Sequence, residues 1–124
     1  MQLNIWAQIL KDEKVPKDAK FVLIGTVRGA DDQKIVDDLH KRARELGILD
    51  RIEFKLNAPR PMILEIFSES KVAMHTMREE HFGIAIVELM SSGIITVAHD
   101  SAGPKTDIIG PAPEKAGYLA NGED

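Results

Sequence analysis

Residues 71–99 read KVAMHTMREEHFGIAIVELMSSGIITVAH, and the fold turns on how they are parsed. Lys71 to Thr76 is a short run of strand-forming residues. Phe82 and Gly83 open an apolar helical stretch that runs to about Met90, and Ile94 to His99 is again rich in β-branched residues. A strand, a helix and a strand in direct succession form a crossover unit, whose two strands lie parallel in one sheet. The helix is apolar nearly all round and is therefore expected to be central.

The same alternation continues in both directions. Upstream, IEFKL (Ile52 to Leu56) reads as a strand, followed by Asn57-Ala58-Pro59 and a helix through Ile66 and Phe67 whose first turn suits Pro61. FVLIG (Phe21 to Gly25) is a continuous apolar run ending in glycine, as expected of a strand buried on both faces. Between these strands, Asp31 and Asp32 are expected to cap a helix with an apolar stripe of Ile35, Leu39, Ala43 and Leu46. Its last turn is basic (Lys41, Arg42, Arg44), and Gly47 stands where a C′ glycine belongs. Leu3, Ile5, Trp6, Ile9 and Leu10 form one face of an opening helix, and Lys14 to Lys20, with Pro16, reads as a loop. Downstream, Pro104 starts a short helix through Ile109, and Gly117-Tyr118-Leu119 is a last short strand. The expected fold is α/β, a parallel Rossmann-like sheet flanked by helices and spanning 1–124 as one domain, with no repeat or dividing linker.

Composition agrees. The chain has 124 residues, 44% hydrophobic and 29% charged, with no Cys. A chain of this length buries roughly two-thirds of its unfolded surface without a metal or crosslink. The net charge of −4 argues against nonspecific nucleic-acid binding, which draws on Lys and Arg neutralising phosphates. No apolar run approaches the roughly 18 residues of a spanning helix. MQLNIWAQILKDEK lacks the basic start and the cleavage site of a signal peptide.

Ligands of parallel sheets bind beyond the carboxyl ends of the strands. The loops at those ends are Gly25–Ala30, Leu56–Arg60, Thr76–Gly83 and Asp100–Pro104. The densest chemistry is Glu80-His81-Phe82-Gly83 followed by Glu88, with seven residues between the two carboxylates. Glu80 precedes the helix and Glu88 lies on it. Gly83 leaves room beside amide donors that attract anions such as phosphate. Carboxylates are tolerated beside an anion site when neutral hydroxyls donate to them. A nucleotide sugar, with diphosphate and many hydroxyls, satisfies both demands. The plainer reading makes Glu80 a solvated loop residue and Glu88 a surface charge, yet Glu88 lies amid Ile84, Ala85, Ile86, Val87, Leu89 and Met90.

Glu80 to Glu88 resembles the E-x7-E signature of retaining GT-B glycosyltransferases, in their C-terminal, donor-binding half. The string MHTMREEHFGIAIVELMSSGIITVAHDSAGPKTDII (74–109), with FVLIGTVRGADD (21–32) upstream, is similar to the α-1,2-mannosyltransferases of asparagine-linked glycosylation. That resemblance implies a GDP-mannose donor, a dolichol-linked oligosaccharide acceptor and a place on the cytosolic side of the endoplasmic reticulum membrane. It implies that Glu80 hydrogen-bonds hydroxyls of the transferred sugar and that Glu88 binds the ribose. It also implies that His81, Phe82, Gly83 and Ile84 turn their N–H groups to the sugar and diphosphate. Gly25 matches the glycine that ends the strand beside the donor, and the loop of Asn57 to Pro59 borders the base. No metal, cofactor or covalent nucleophile is implied.

The family's diphosphate-binding Arg and Lys, its first strand in this domain, its acceptor half and its membrane anchor have no counterpart in this sequence. The chain is therefore expected to be a partial donor-binding domain, inactive by itself and able to self-associate through an uncovered edge or patch. Ala102 stands where many relatives carry the first Gly of a Gly-Gly pair. A related transferase with a UDP-sugar donor and a noncatalytic flavodoxin-like module remain as alternatives.

The remaining polar residues read more simply. His75, His81 and His99 lack tight metal-ligand spacing. His75 and His99 are expected as hydrogen-bonded core residues and His40 as solvated. Gly25 to Gly29 is neither a dinucleotide nor a Walker A fingerprint. Arg28 and Lys105 read as surface residues within reach of a phosphate. Met74, Met77 and Met90 read as core filler.

Overall fold

A computed structural model describes residues 1–111 and 117–121 and shows two compact units, Met1–Ile63 and Leu64–Asp124. The division falls inside a helix, so no shift in composition marks it. In chain order the elements are α1 (Gln2–Ile9), β1 (Phe21–Gly25), α2 (Ala30–Glu45), a 3-10 turn (Leu49–Arg51), β2 (Ile52–Leu56), α3 (Arg60–Glu69), β3 (Val72–His75), α4 (Ile84–Ser91), β4 (Ile95–His99), a π-helical turn (Pro104–Ile108) and β5 (Gly117–Ala120). Every described strand pairing is parallel, as the alternation requires: β1 with β2 in the first unit, and β3–β4–β5 in the second.

In the first unit the register sets Phe21 beside Ile52 and Leu23 beside Phe54. Those side chains pack on a core of Leu3, Trp6, Ala43, Ile48 and Ile52. Trp6 stacks on Phe21 with ring centroids 5.7 Å apart and donates its indole N–H to the Arg51 carbonyl at 3.2 Å. The opposite face carries Val22 and Ile24 beside Glu53 and Lys55, which pair at 3.3 Å. β1 is therefore not buried on both faces: Ile24 is 40% exposed, because its neighbours on that face are charged.

Helix α2 corrects three further expectations. Its N-cap is Gly29, in extended backbone, rather than Asp31 or Asp32. Those acids fill the first turn, where they complement the macrodipole, and the Asp32 carboxylate accepts the Arg28 N–H at 2.8 Å. The buried stripe runs through Val36 and Ala43, while Ile35 is 59% exposed, one position off the face that meets the core. His40 is not simply solvated: its ring stacks on Phe54 at 3.9 Å. The helix ends as its sequence predicts. Gly47 at φ +68° donates to the Arg44 carbonyl and Ile48 to that of Ala43, both at 3.0 Å, which completes a Schellman motif.

In the second unit, Thr96 and Ala98 lie on the covered face of the sheet, under Ile86 and Ile109. The other face carries Val72, Ile95 and Tyr118, each half exposed or more. Helix α4 is apolar, yet Ile86 alone among its described residues is fully buried and Ile84 is 71% exposed, so the helix is not central. Met77 is exposed on the loop between β3 and α4 rather than in the core. Gly93 at φ +77° closes α4 in a second Schellman motif, with Gly93 donating to Met90 at 3.0 Å and Ile94 to Leu89 at 3.2 Å. Among the described residues no helix is long and apolar enough to cross a membrane.

Candidate functional site

The carboxyl ends of β3 and β4 send out two loops, 76–83 and 100–104, and these are fastened to one another. The Glu79 N–H donates to Ser101 Oγ at 3.0 Å, and the Gly103 N–H donates to the Glu80 carbonyl at 2.9 Å. Ser101 Oγ also meets His99 Nδ1 at 2.9 Å, so His99 is the hydrogen-bonded strand-end residue the sequence implies. Gly103 is required for this closeness, since a Cβ there would stand 2.3 Å from the His81 carbonyl oxygen and 2.6 Å from that of Phe82.

Both loops hold a non-glycine residue at positive φ: Glu79 at +53° and Ala102 at +42°. Such backbone costs about 1–2 kcal/mol per residue, is maintained only by its surroundings, and clusters at ligand sites. Between the loops opens a cavity of about 490 Å³, lined by Glu79, His81, Ser101 to Gly103, Thr106 and Asp107. That volume falls within the roughly 300–1,000 Å³ of small-molecule sites. Thr106 Oγ donates to the Ala102 carbonyl at 3.0 Å and to the Asp107 carboxylate at 2.8 Å, and Lys105 pairs with Asp100 at 3.2 Å.

Helix α4 begins against this cavity. Gly83 is its N-cap at φ +99°, and no side chain caps the helix. The first main-chain bonds run from Ile86 and Val87 to the Gly83 carbonyl, at 2.9 and 3.2 Å. Gly83 is buried, and a Cβ there would come 2.9 Å from Ile86 Cδ1 and 3.4 Å from Glu80 Cγ. Its hydrogen side chain thus serves close packing and a left-handed turn as well as access. His81, Phe82 and Ile84 are exposed beside it, while Glu88, the fifth residue of α4, is half-buried. Glu80 does not line the cavity. Its side chain is 26% exposed and turned toward His75, with Oε2 3.5 Å from Nε2.

In the first unit, Gly25 and Asn57 meet at the ends of β1 and β2. Asn57 sits at φ +53° and donates its N–H to the Gly25 carbonyl at 2.9 Å. Its side-chain oxygen accepts the Val27 N–H at 2.9 Å, so that atom brackets the β1 loop and is engaged by protein. A Cβ added at Gly25 would meet nothing within 4 Å, which leaves the loop open above it. Arg28 is exposed there. No group of three or more metal-ligating side chains occurs among the described residues.

Sequence reasoning named the 100–104 loop but not Ser101, Thr106 or Asp107 as its lining. The Asp-Ser and Gly-Pro pairs flanking Ala102 are turn signals that mark the segment, yet which side chains line the cavity depends on contacts with the distant 76–83 loop.

The model of the group 1 glycosyl transferases matches residues 3–124. Curated relatives from several organisms carry the name GDP-Man:Man(3)GlcNAc(2)-PP-Dol alpha-1,2-mannosyltransferase. That of Homo sapiens is 39% identical over 127 residues, covering 100% of this chain and 26% of its own length. That of Dictyostelium discoideum is 40% identical, with 98% and 24% covered. That of Neurospora crassa is 46% identical, with 86% and 19% covered. The chain spans about a quarter of the length of the first two of these relatives. The crystal structure of Anabaena HepE in complex with UDP is similar in fold, with a TM-score of 0.72 at 24% identity over 96% of this chain and 30% of that one.

Proposed function

Because the chain belongs to the group 1 glycosyl transferases, we propose that the protein containing it transfers mannose from GDP-mannose to a dolichol-diphosphate-linked oligosaccharide, in α-1,2 linkage. The work takes place on the cytosolic face of the endoplasmic reticulum membrane, during assembly of the N-glycan precursor. The reading is carried by the juxtaposition of an acidic turn, Glu79–Glu80, with the uncapped start of α4 and an adjoining cavity, in a chain 34–46% identical to transferases of that name.

In this reading the amides of His81 to Ile84 face the sugar and its diphosphate, where negative charge grows as the bond from C1 to the leaving phosphate breaks. Donors already aimed at that charge need no reorganisation during the reaction. The acceptor hydroxyl bonds C1 on the face the diphosphate leaves, its proton passes to the departing diphosphate oxygen as the C1–O bond breaks, and the anomeric configuration is retained. Glu80 takes hydrogen bonds from mannose hydroxyls and acts as the catalytic-site carboxylate. Glu88 takes them from the ribose. Within the first unit, Asn57 holds the loop after Gly25 through its grip on Val27.

The test is Glu80→Gln in the intact transferase, assayed with GDP-mannose and lipid-linked acceptor. Turnover is expected to fall at least ~100-fold, since loss of an interaction made in the transition state appears in kcat; wild-type turnover defeats the assignment. A UDP-sugar donor is the second reading, prompted by HepE, whose structure holds UDP. It predicts turnover with a UDP-sugar and none with GDP-mannose. The chain alone is further proposed to self-associate through the exposed sheet face that carries Val72, Ile95 and Tyr118. Sedimentation velocity is expected to show concentration-dependent assembly that Ile95→Lys reduces, and a monomer at high concentration refutes it.

A further inference from the structure

His75 is the last residue of β3, and its register partner across the ladder is Ala98, itself 2% exposed under α4 and the π-helical turn. This places an imidazole at the point where the covered face of the sheet meets the candidate site. Its side chain is 18% exposed, and its Nε2 stands 3.5 Å from Glu80 Oε2. Its Nδ1 is buried with no hydrogen-bond partner among the described residues.

A neutral imidazole has one N–H and one bare nitrogen. A proton on Nδ1 would be an orphaned buried donor, whereas a proton on Nε2 faces the carboxylate and leaves only a lone pair unsatisfied. Leaving a buried donor unpaired is the costlier choice, so the surroundings select the Nε2–H tautomer. The rest of Glu80 is held as well. Its carbonyl accepts the Gly103 N–H at 2.9 Å, and its Cγ lies 3.4 Å from the place a Gly83 Cβ would occupy. The Gly103 bond thereby fixes the backbone of Glu80, while the missing Cβ of Gly83 leaves room beside its side chain. The imidazole is the group that the carboxylate itself faces, at 3.5 Å.

We propose that His75 is a positioning residue: from the end of β3 it donates Nε2–H to Glu80 and aims that carboxylate at the hydroxyls of the transferred sugar. The inference rests on the reading of Glu80 given above. The 3.5 Å separation shortens when the second carboxylate oxygen engages the sugar, as hydrogen bonds within a site commonly tighten once it is filled. A carboxylate free to rotate by an ångström loses its alignment with the reacting sugar, an error that costs on the order of 100-fold in rate.

The experiment is steady-state kinetics on the intact transferase with GDP-mannose and lipid-linked acceptor, using His75→Ala, His75→Gln, Glu80→Gln and the double variant. His75→Ala is expected to lower kcat by about 10- to 100-fold while KM for GDP-mannose changes less than about 3-fold. His75→Gln keeps an N–H donor of similar reach and is expected to recover most of that loss. In the Glu80→Gln background, removing His75 is expected to cost less than about 2-fold, because a residue acting through another has nothing left to act on. Equal losses in both backgrounds mark a merely structural residue and overturn the proposal. Wild-type kcat in His75→Ala beside an inactive Glu80→Gln also overturns it while leaving the function intact. Wild-type activity of Glu80→Gln instead overturns the reading of Glu80. If His75→Ala does not fold, His75→Gln is compared with His75→Asn, whose shorter amide falls short of Glu80; equal activity of the two overturns the proposal.

Discussion

Position 102 shows how one side chain can carry a local cost. Ala102 holds φ +42°, a region an alanine enters only against the contact between its Cβ and backbone oxygen. Ala102→Gly is expected to raise stability by about 1 kcal/mol, read as a shift in the midpoint of denaturant unfolding. Its neighbour predicts the reverse. A Cβ at Gly103 would sit 2.3 Å from the His81 oxygen, so Gly103→Ala must push apart the loops that bound the cavity. It is expected to cost about 2–3 kcal/mol and to abolish the turnover proposed for the intact transferase; stability and activity within error of wild type would refute that account. The sequence identified both residues as part of a ligand-edge loop. It said nothing of their different needs, because the clash at Gly103 comes from a turn some twenty residues away, and only folding brings that turn near. Asn57 teaches the same lesson: read as a residue of the donor loop, it proves to spend its side-chain oxygen on Val27.

The elements were legible where local rules decide them. The strands Phe21–Gly25 and Ile52–Leu56 stand where β-branched and alternating runs place them, and Gly47 ends α2 because only a glycine adopts φ +68° there at little cost. Gly93 does the same for α4, a signal present in the sequence but unread. Gly47→Ala and Gly93→Ala are each expected to cost about 1–2 kcal/mol, the penalty of an alanine in the left-handed region. Thermal melts should record that loss, and unchanged melting temperatures would mean the two caps do not hold their helices. Capping at the other end was misread. Asp31 and Asp32 have the chemistry of caps, but the chain enters α2 from extended Gly29, two residues earlier in the path than Asp31. Acids in a first turn and acids at an N-cap look alike in sequence because both answer the same unpaired amides.

At the scale of the molecule, apolar residues divide between two cores, one around Trp6, Ala43, Ile48 and Ile52, the other around Ile86, Ala98 and Ile109. Ile86 is fully enclosed, so Ile86→Ala is expected to cost about 2–5 kcal/mol through lost burial and the cavity left behind. Denaturant unfolding measures it, and a loss below 1 kcal/mol would show that the second core does not depend on α4. The sequence by itself determined the parallel α/β class, the order of strands and helices, and the acidic turn ahead of α4. These follow from periodicity, turn residues and chain direction, which are local properties. Only the tertiary structure decided that α4 buries a single residue, that Glu80 turns to His75, and that the loops after β3 and β4 are tied by Ser101 and Gly103. Such facts depend on which side chains meet across the sheet, and a one-dimensional pattern carries no distance between residues far apart along it.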